Sequence, residues 1–125
     1  MRYTLLLHYP EQDPEDLDEA AMAEAQQAMS RYAAALHQAG ILREAQILQP
    51  SANTTTLTLV SGIAHAQDGP LAGTTMALGG LVVIEVPTLD AALDWARRSP
   101  SLAWGDVEVR PGAVHVASGA WVPSS

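Results

Sequence analysis

The sequence contains no cysteine and no lysine. Without a thiol the chain has no thiolate nucleophile, no disulfide, and no cysteine-held zinc or iron–sulfur cluster. Without a lysine amine it forms no Schiff base, either with a carbonyl substrate or with pyridoxal phosphate. Basic residues are scarce: six arginines (Arg2, Arg31, Arg43, Arg97, Arg98 and Arg110) face fourteen acids, for a net charge of −8. Such a chain repels phosphate backbones and anionic lipid, so neither nucleic acid nor a membrane is an expected partner. No apolar run approaches the roughly 20 residues of a membrane span. The opening Met1–His8 is too short in its apolar run for a signal peptide and lacks a small-residue cleavage site. A cytoplasmic location is expected, and abundant alanine with arginine in place of lysine fits a GC-rich bacterial source.

What is present suffices for one soluble domain. The 125 residues are 48% hydrophobic, enough for a core that needs no metal or disulfide. Half of the acids (Glu11, Asp13, Glu15, Asp16, Asp18, Glu19 and Glu24) sit in one short stretch. They suit the positive end of a helix dipole, with an interaction surface as the alternative.

Arg2–His8 is a short apolar and aromatic run, expected as a first strand buried on both faces. Pro10–Pro14 breaks it. Asp13 offers an N-cap, Pro14 suits the first helical position, and Leu17, Ala21, Ala25, Ala28, Tyr32, Leu36 and Ala39 form one apolar stripe that ends at Gly40. A second strand falls within Ile41–Leu48. Thr54–Val60 and Ile63–Ala66 make a hairpin about Ser61-Gly62, and Gln67–Pro70 is a further turn. After Gly79-Gly80, Leu81–Val86 is a strand, and Thr88 caps a helix with Leu89, Ala92, Leu93 and Ala96 on its inner face. Asp106–Arg110 is the next strand, Ala113–Ala117 a candidate extra strand, and Pro123–Ser125 a frayed end.

Strand, helix, hairpin, strand, helix, strand is the order of an α+β, ferredoxin-like βαββαβ domain with an additional hairpin. Its antiparallel sheet carries two helices on one face. The other face is also apolar and needs a cover, for which a second copy of the chain is the simplest candidate. A homodimer is therefore expected on physical grounds alone.

Asp68-Gly69-Pro70-Leu71-Ala72-Gly73-Thr74, Gly79–Val86, Leu89–Ala96 and Val107–Pro111 stand in an order that resembles the DGPF branch of the YCII-related proteins. The opening Met1–Leu7 and Ala39–Leu42 agree with it. The resemblance covers residues 1 to 111 and leaves 112 to 125 as a C-terminal extension, an extra strand or a pocket lid. It implies a ferredoxin-like domain pairing through its sheet into a dimeric α/β barrel. Members are mostly of unassigned function, some lie near sigma-factor genes, and a related protein is a dehydrochlorinase of aromatic degradation. Functional carry-over from the fold is correspondingly small.

The chain also departs from that family. Where the usual pattern is Asp-Gly-Pro-Phe-x-Glu-Thr-Lys-Glu, only Asp68, Gly69, Pro70 and Thr74 match. Leu71 replaces the phenylalanine, and Gly73, Thr75 and Met76 stand at the charged positions. The first-helix histidine of other members falls near Met29 and is missing. These changes point to a roomier, more apolar site suited to a bulky ligand. They equally suit drift in a protein with no site.

Three residues are candidates for catalysis. His8, at the end of the first strand, is a base near the centre of a barrel or an aromatic replacement packed in a sheet. Asp68 is a base or a partner that orients a histidine, or it bonds its own turn's backbone. Arg110 clamps a carboxylate or enolate, or it pairs with Glu108 or Glu85 across the sheet or across the dimer. Thr74, Met76, His65, Trp104, His115 and Trp121 are candidates to line a pocket. Arg97 and Arg98 read as a solvated helix end, Trp95 and Tyr32 as packing. The four histidines show no ligand spacing, Gly79-Gly80 precedes a strand rather than a helix, and no serine sits in a nucleophile elbow, so no metal or cofactor is expected.

Two function classes follow. One is a small cofactor-independent enzyme performing acid–base chemistry (elimination, isomerisation or cyclisation) on an apolar or aromatic molecule, with oxygenation as a variant. The other is a non-catalytic homodimer that binds a ligand or serves as an accessory protein.

Overall fold

Tyr3, Leu5 and Leu7 are buried, while Arg2, Thr4, Leu6 and His8 between them are only half-buried. The first strand, β1 (Arg2–Tyr9), thus alternates as a strand covered on one side does, not as one buried on both faces. The reason is that a single chain covers one face of the sheet. The structure, a computed structural model, describes residues 1–16, 18–72 and 75–125, leaving aside the side chain of Pro14. Leu17 of the expected stripe and the candidate-site residue Thr74 lie outside the described residues.

After β1 come α1 (Glu19–Gln38), β2 (Leu42–Ile47), β3 (Thr55–Val60), β4 (Ile63–Asp68), β5 (Ala77–Glu85), α2 (Leu89–Arg97), β6 (Asp106–Pro111), β7 (Val114–Ala117) and β8 (Ala120–Pro123). Four strands form the main sheet in the order β2-β5-β1-β6, every neighbour antiparallel. Each helix connects two strands separated by one from the other half, which is the interleaved arrangement of a ferredoxin-like domain. The hairpins β3–β4 and β7–β8 are separate two-stranded sheets.

The core lies between the helices and one sheet face. Tyr32 and Leu36 of α1 and Ala92 and Ala96 of α2 meet Tyr3, Leu5, Leu7, Val82, Ile84 and Val86. Leu5, Leu7, Leu36 and Ile84 are sealed from water, each contributing about 1.5–3 kcal/mol through burial. The Tyr32 hydroxyl reaches across to donate to the Trp95 carbonyl at 2.7 Å, tying the two helices by their polar atoms as well.

Three local expectations are corrected. Helix α1 starts five residues later than the Asp13 cap predicts. Asp13–Asp16 closes a single tight turn (Asp16 N–H to Asp13 O, 2.8 Å), and Asp18, in extended conformation, caps the helix by accepting from Ala20 N–H at 3.0 Å. Gly79 and Gly80 belong to β5 rather than preceding it, because a side chain there would collide with the Tyr9 ring and with the Gln46 carbonyl. The C-terminus is not frayed. Ser124 is buried, its carbonyl accepting from Arg2 N–H and its N–H donating to Ala113 O, both at 3.0 Å. Among the described residues no helix is long and apolar enough to cross a membrane.

Candidate functional site

The uncovered sheet face is ordered in rows by its strand register. Gln46, Leu81, Leu6 and Glu108 face one another in one row, and Glu44, Val83, Thr4 and Arg110 in the next. Arg2 opposes Glu85 at one end, and His8 stands between Leu78 and Asp106 at the other. The result is an apolar floor of Leu6, Leu81 and Val83 with polar and charged side chains along both edges.

His8 reaches back one row to Glu108, its Nε2 lying 3.0 Å from Oε1. The two side chains are 29% and 50% exposed. A pair this accessible adds about 0–1 kcal/mol to stability, so its place here is not explained by holding the fold. When the ring is neutral, a bond to the carboxylate puts the proton on Nε2 and leaves Nδ1 as the basic nitrogen. Among the described residues Nδ1 has no hydrogen-bond partner.

Behind His8 the chain is packed closely. The Tyr9 hydroxyl donates to the Gly79 carbonyl at 3.1 Å, and its ring meets Trp104 edge-on with centroids 6.4 Å apart. Burial, then the charge of Glu11, pushes the Tyr9 phenol above its ordinary value. The strand irregularity that admits this packing falls between Leu7 and His8, where β5 carries Gly79 as an extra residue.

Within one chain Arg110 makes no ion pair with Glu108 or Glu85, whose carboxylates meet other side chains. Glu108 is held by His8, and Glu85 accepts from Arg43 at 2.9 Å with Arg2 at 3.9 Å. The Arg43 hydrogen bond, with the nearby positive charges of Arg43, Arg2 and the N-terminus, holds the Glu85 carboxyl below its ordinary value. Arg110 is exposed beside Thr4 and has no carboxylate partner among the described residues.

The other candidates are dispersed. Asp68 ends β4 opposite Thr55, exposed, and its carboxylate accepts no hydrogen bond among the described residues, so the bond to its own turn is not made. His65 opposes Thr58 on the same hairpin, exposed. His115 is half-buried on β7, its Nδ1 3.0 Å from the Ser124 hydroxyl, while Trp121 on β8 is largely exposed. Met76 is half-buried just before β5. Within one chain, no hydrogen bond or ion pair of the described residues joins His65, Asp68, His115 or Trp121 to His8. Two shallow grooves, of about 440 and 250 Å³, lie along α1 and between α1 and the end of α2, away from His8. No group of three or more potential metal-ligating side chains gathers among the described residues.

Residues 1–112 match the family model of the YCII-related domain. The chain belongs to the YCII-related family. Among curated proteins none matches it. In this YCII-related chain Met29, near the expected place of a first-helix histidine, packs against the core on the inner face of α1, one turn before the buried Tyr32. His8 stands on β1 with Glu108 as its partner, while the histidine of α1, His37, is exposed near the helix end. Glu108 and Tyr9 were not singled out from sequence as parts of a site with His8. The signal for Glu108 was available in the strand order: once β6 lies beside β1, alternation puts His8 and Glu108 on one face.

Proposed function

We propose that this YCII-related protein is a small, cofactor-independent enzyme that works as a homodimer. His8 acts as a general base on an apolar or aromatic molecule lying over Leu6, Leu81 and Val83. The observation that carries the reading is the 3.0 Å His8–Glu108 pair at the edge of an apolar, uncovered sheet face. Glu108 fixes the tautomer and balances the imidazolium that forms when Nδ1 takes a proton. Arg110, on the same face and without a carboxylate partner among the described residues, is the group available to stabilise a developing enolate or carboxylate. Trp104 supplies an aromatic wall through Tyr9. A second copy covers the face, excludes water, and is the route by which Asp68, Thr74, Met76 or the hairpin histidines would join the site. Loss of a proton from carbon, followed by elimination, isomerisation or cyclisation, is the chemistry such a set serves.

The test is hydrogen–deuterium exchange in D₂O on a panel of aryl ketones and aromatic esters carrying an acidic C–H, followed by proton NMR. Exchange by the wild type that is lost in His8→Ala, with circular dichroism unchanged, supports the reading. A second reading, a non-catalytic ligand-binding or accessory homodimer, is favoured by the openness of the pair in one chain. It predicts no exchange with any panel member, and ligand binding that survives His8→Ala.

A further inference from the structure

Between Glu44 and Glu85 the only charged residue of the sequence is Asp68, and from Pro111 to Ser125 there is none. These two stretches contain the hairpins β3–β4 and β7–β8. Both turn on the same pair, Ser61-Gly62 and Ser118-Gly119, with positive φ at both positions as a two-residue hairpin loop demands. In a chain of net charge −8, both hairpins are thus almost free of charge, although both reach into solvent.

Each hairpin has an apolar face turned to water. On β3–β4, Leu57 opposes Ala66 and Leu59 opposes Ala64, with the two leucines 68% and 75% exposed. On β7–β8, Val116 opposes Trp121 and Val114 opposes Pro123, with Trp121 73% exposed. A two-stranded ribbon standing alone is marginal in water, so faces like these need a cover. The accessible surface points the same way. The chain exposes 8511 Å², whereas a compact monomer of its mass exposes about 6,400 Å². The excess, about 2,100 Å², lies within the roughly 1,000–2,500 Å² per partner that permanent dimers bury.

We propose that the two uncharged hairpins are docking arms for a second copy of this chain. The Val114, Val116 and Trp121 face of one copy packs on the Leu57 and Leu59 face of the other. Two-fold symmetry then makes the contact twice, and each exposed ribbon covers the other. A second copy fits where other partners do not: it brings a neutral apolar ribbon to a neutral apolar ribbon, whereas a basic partner would be drawn to the acidic segment instead. The buried Ser124 anchors the C-terminal arm to β1 through Arg2. The proposal rests on the homodimer reading and adds a hairpin contact to the covered sheet face. The whole C-terminal arm lies beyond residue 112, where the family match ends.

The absence of cysteine makes the test clean. Full-length Leu59→Cys and Trp121→Cys chains are mixed after denaturation, refolded together and oxidised, and the linked peptides are identified by mass spectrometry. A disulfide between Cys at 59 and Cys at 121 in the mixture joins two chains by construction. That linkage is expected as the main product. Full-length Trp121→Glu and Leu59→Glu should each raise the dimer dissociation constant by about tenfold or more, read by sedimentation equilibrium, with circular dichroism unchanged. A wild-type dimer that forms no such disulfide and is unmoved by both variants overturns the arm contact while sparing the homodimer. A wild type that stays monomeric at high concentration overturns both. So does a monomer that co-sediments with phosphatidylcholine vesicles, which would make lipid the cover.

Discussion

Gly105 runs so close to His8 that a β-carbon at position 105 would overlap the histidine's carbonyl oxygen and press on Cα and Cβ of Tyr9. The obstacle is backbone, which has little room to yield. Gly105→Ala should therefore destabilise the fold by about 1–3 kcal/mol, as overpacking does, and shift the His8 side chain with it. Gly79→Ala collides instead with the ring of Tyr9, a side chain that can be removed. Urea denaturation of Gly79→Ala, Tyr9→Ala and the double variant should show the double less destabilised than the sum of the singles.

The His8–Glu108 pair makes a claim about proton position. Long-range proton–nitrogen NMR at a pH where the ring is neutral should find the His8 proton on Nε2. In Glu108→Leu the tautomer populations should mix, with stability changed by less than about 1 kcal/mol because the pair is so exposed. An unaltered tautomer ratio in that variant would show that Glu108 does not hold the ring.

Burial pushes the Tyr32 phenol up to about 12, the nearby Arg98 charge acting in the opposite direction. A folded-state value above the ordinary 10.0 means that stability from the neutral phenol is complete below pH 10 and is lost as pH rises towards 12. Absorbance at the phenolate band should show this late ionisation, and Tyr32→Phe should remove it. The same variant loses the bond to the Trp95 carbonyl and should cost about 0.5–1.5 kcal/mol.

At the acid end the sign reverses. Glu85 is held below its ordinary 4.5, chiefly by the Arg43 hydrogen bond. Its contribution is present above pH 4.5 and is lost as pH falls through the lowered folded-state value. Melting curves taken from neutral to acid pH should decline less steeply for Glu85→Gln than for the wild type.

Much of the fold was legible because hydrophobic period and turn chemistry agreed with it. The strand β1, the Thr-rich β3, the Ser61-Gly62 turn and the Thr88 cap all stand where local pattern puts them, Thr88 accepting from Ala91 N–H at 3.1 Å. The one-sided burial of β1, by contrast, did not show in its continuous apolar run. What was illegible depends on neighbours distant in sequence. Asp13 and Asp18 are equally good caps in isolation, and the tight turn closed by Asp16 chooses between them. Gly79-Gly80 reads as loop until Tyr9 and Gln46 are known to occupy the space beside it. Ser124 reads as a loose end until Arg2 and Ala113 are seen to hold it. His8 was legible as a candidate base and Arg110 as a candidate clamp. The link from His8 to Glu108, which leaves Arg110 without that carboxylate, needed the register of β1 against β6.

Seven of the fourteen carboxylates crowd between Glu11 and Glu24, while Leu57–Gln67 and Val114–Pro123 carry no formal charge. The molecule is electrically lopsided. Two copies of net charge −8 repel as whole bodies, and the approach that faces neutral ribbon to neutral ribbon adds least to that repulsion. Charge then acts as a filter on orientation before any contact forms. Added salt, which at 0.15 M confines each charge to about 8 Å, relaxes the filter. Encounters between copies become faster with ionic strength, whereas partners steered by opposite charge meet more slowly.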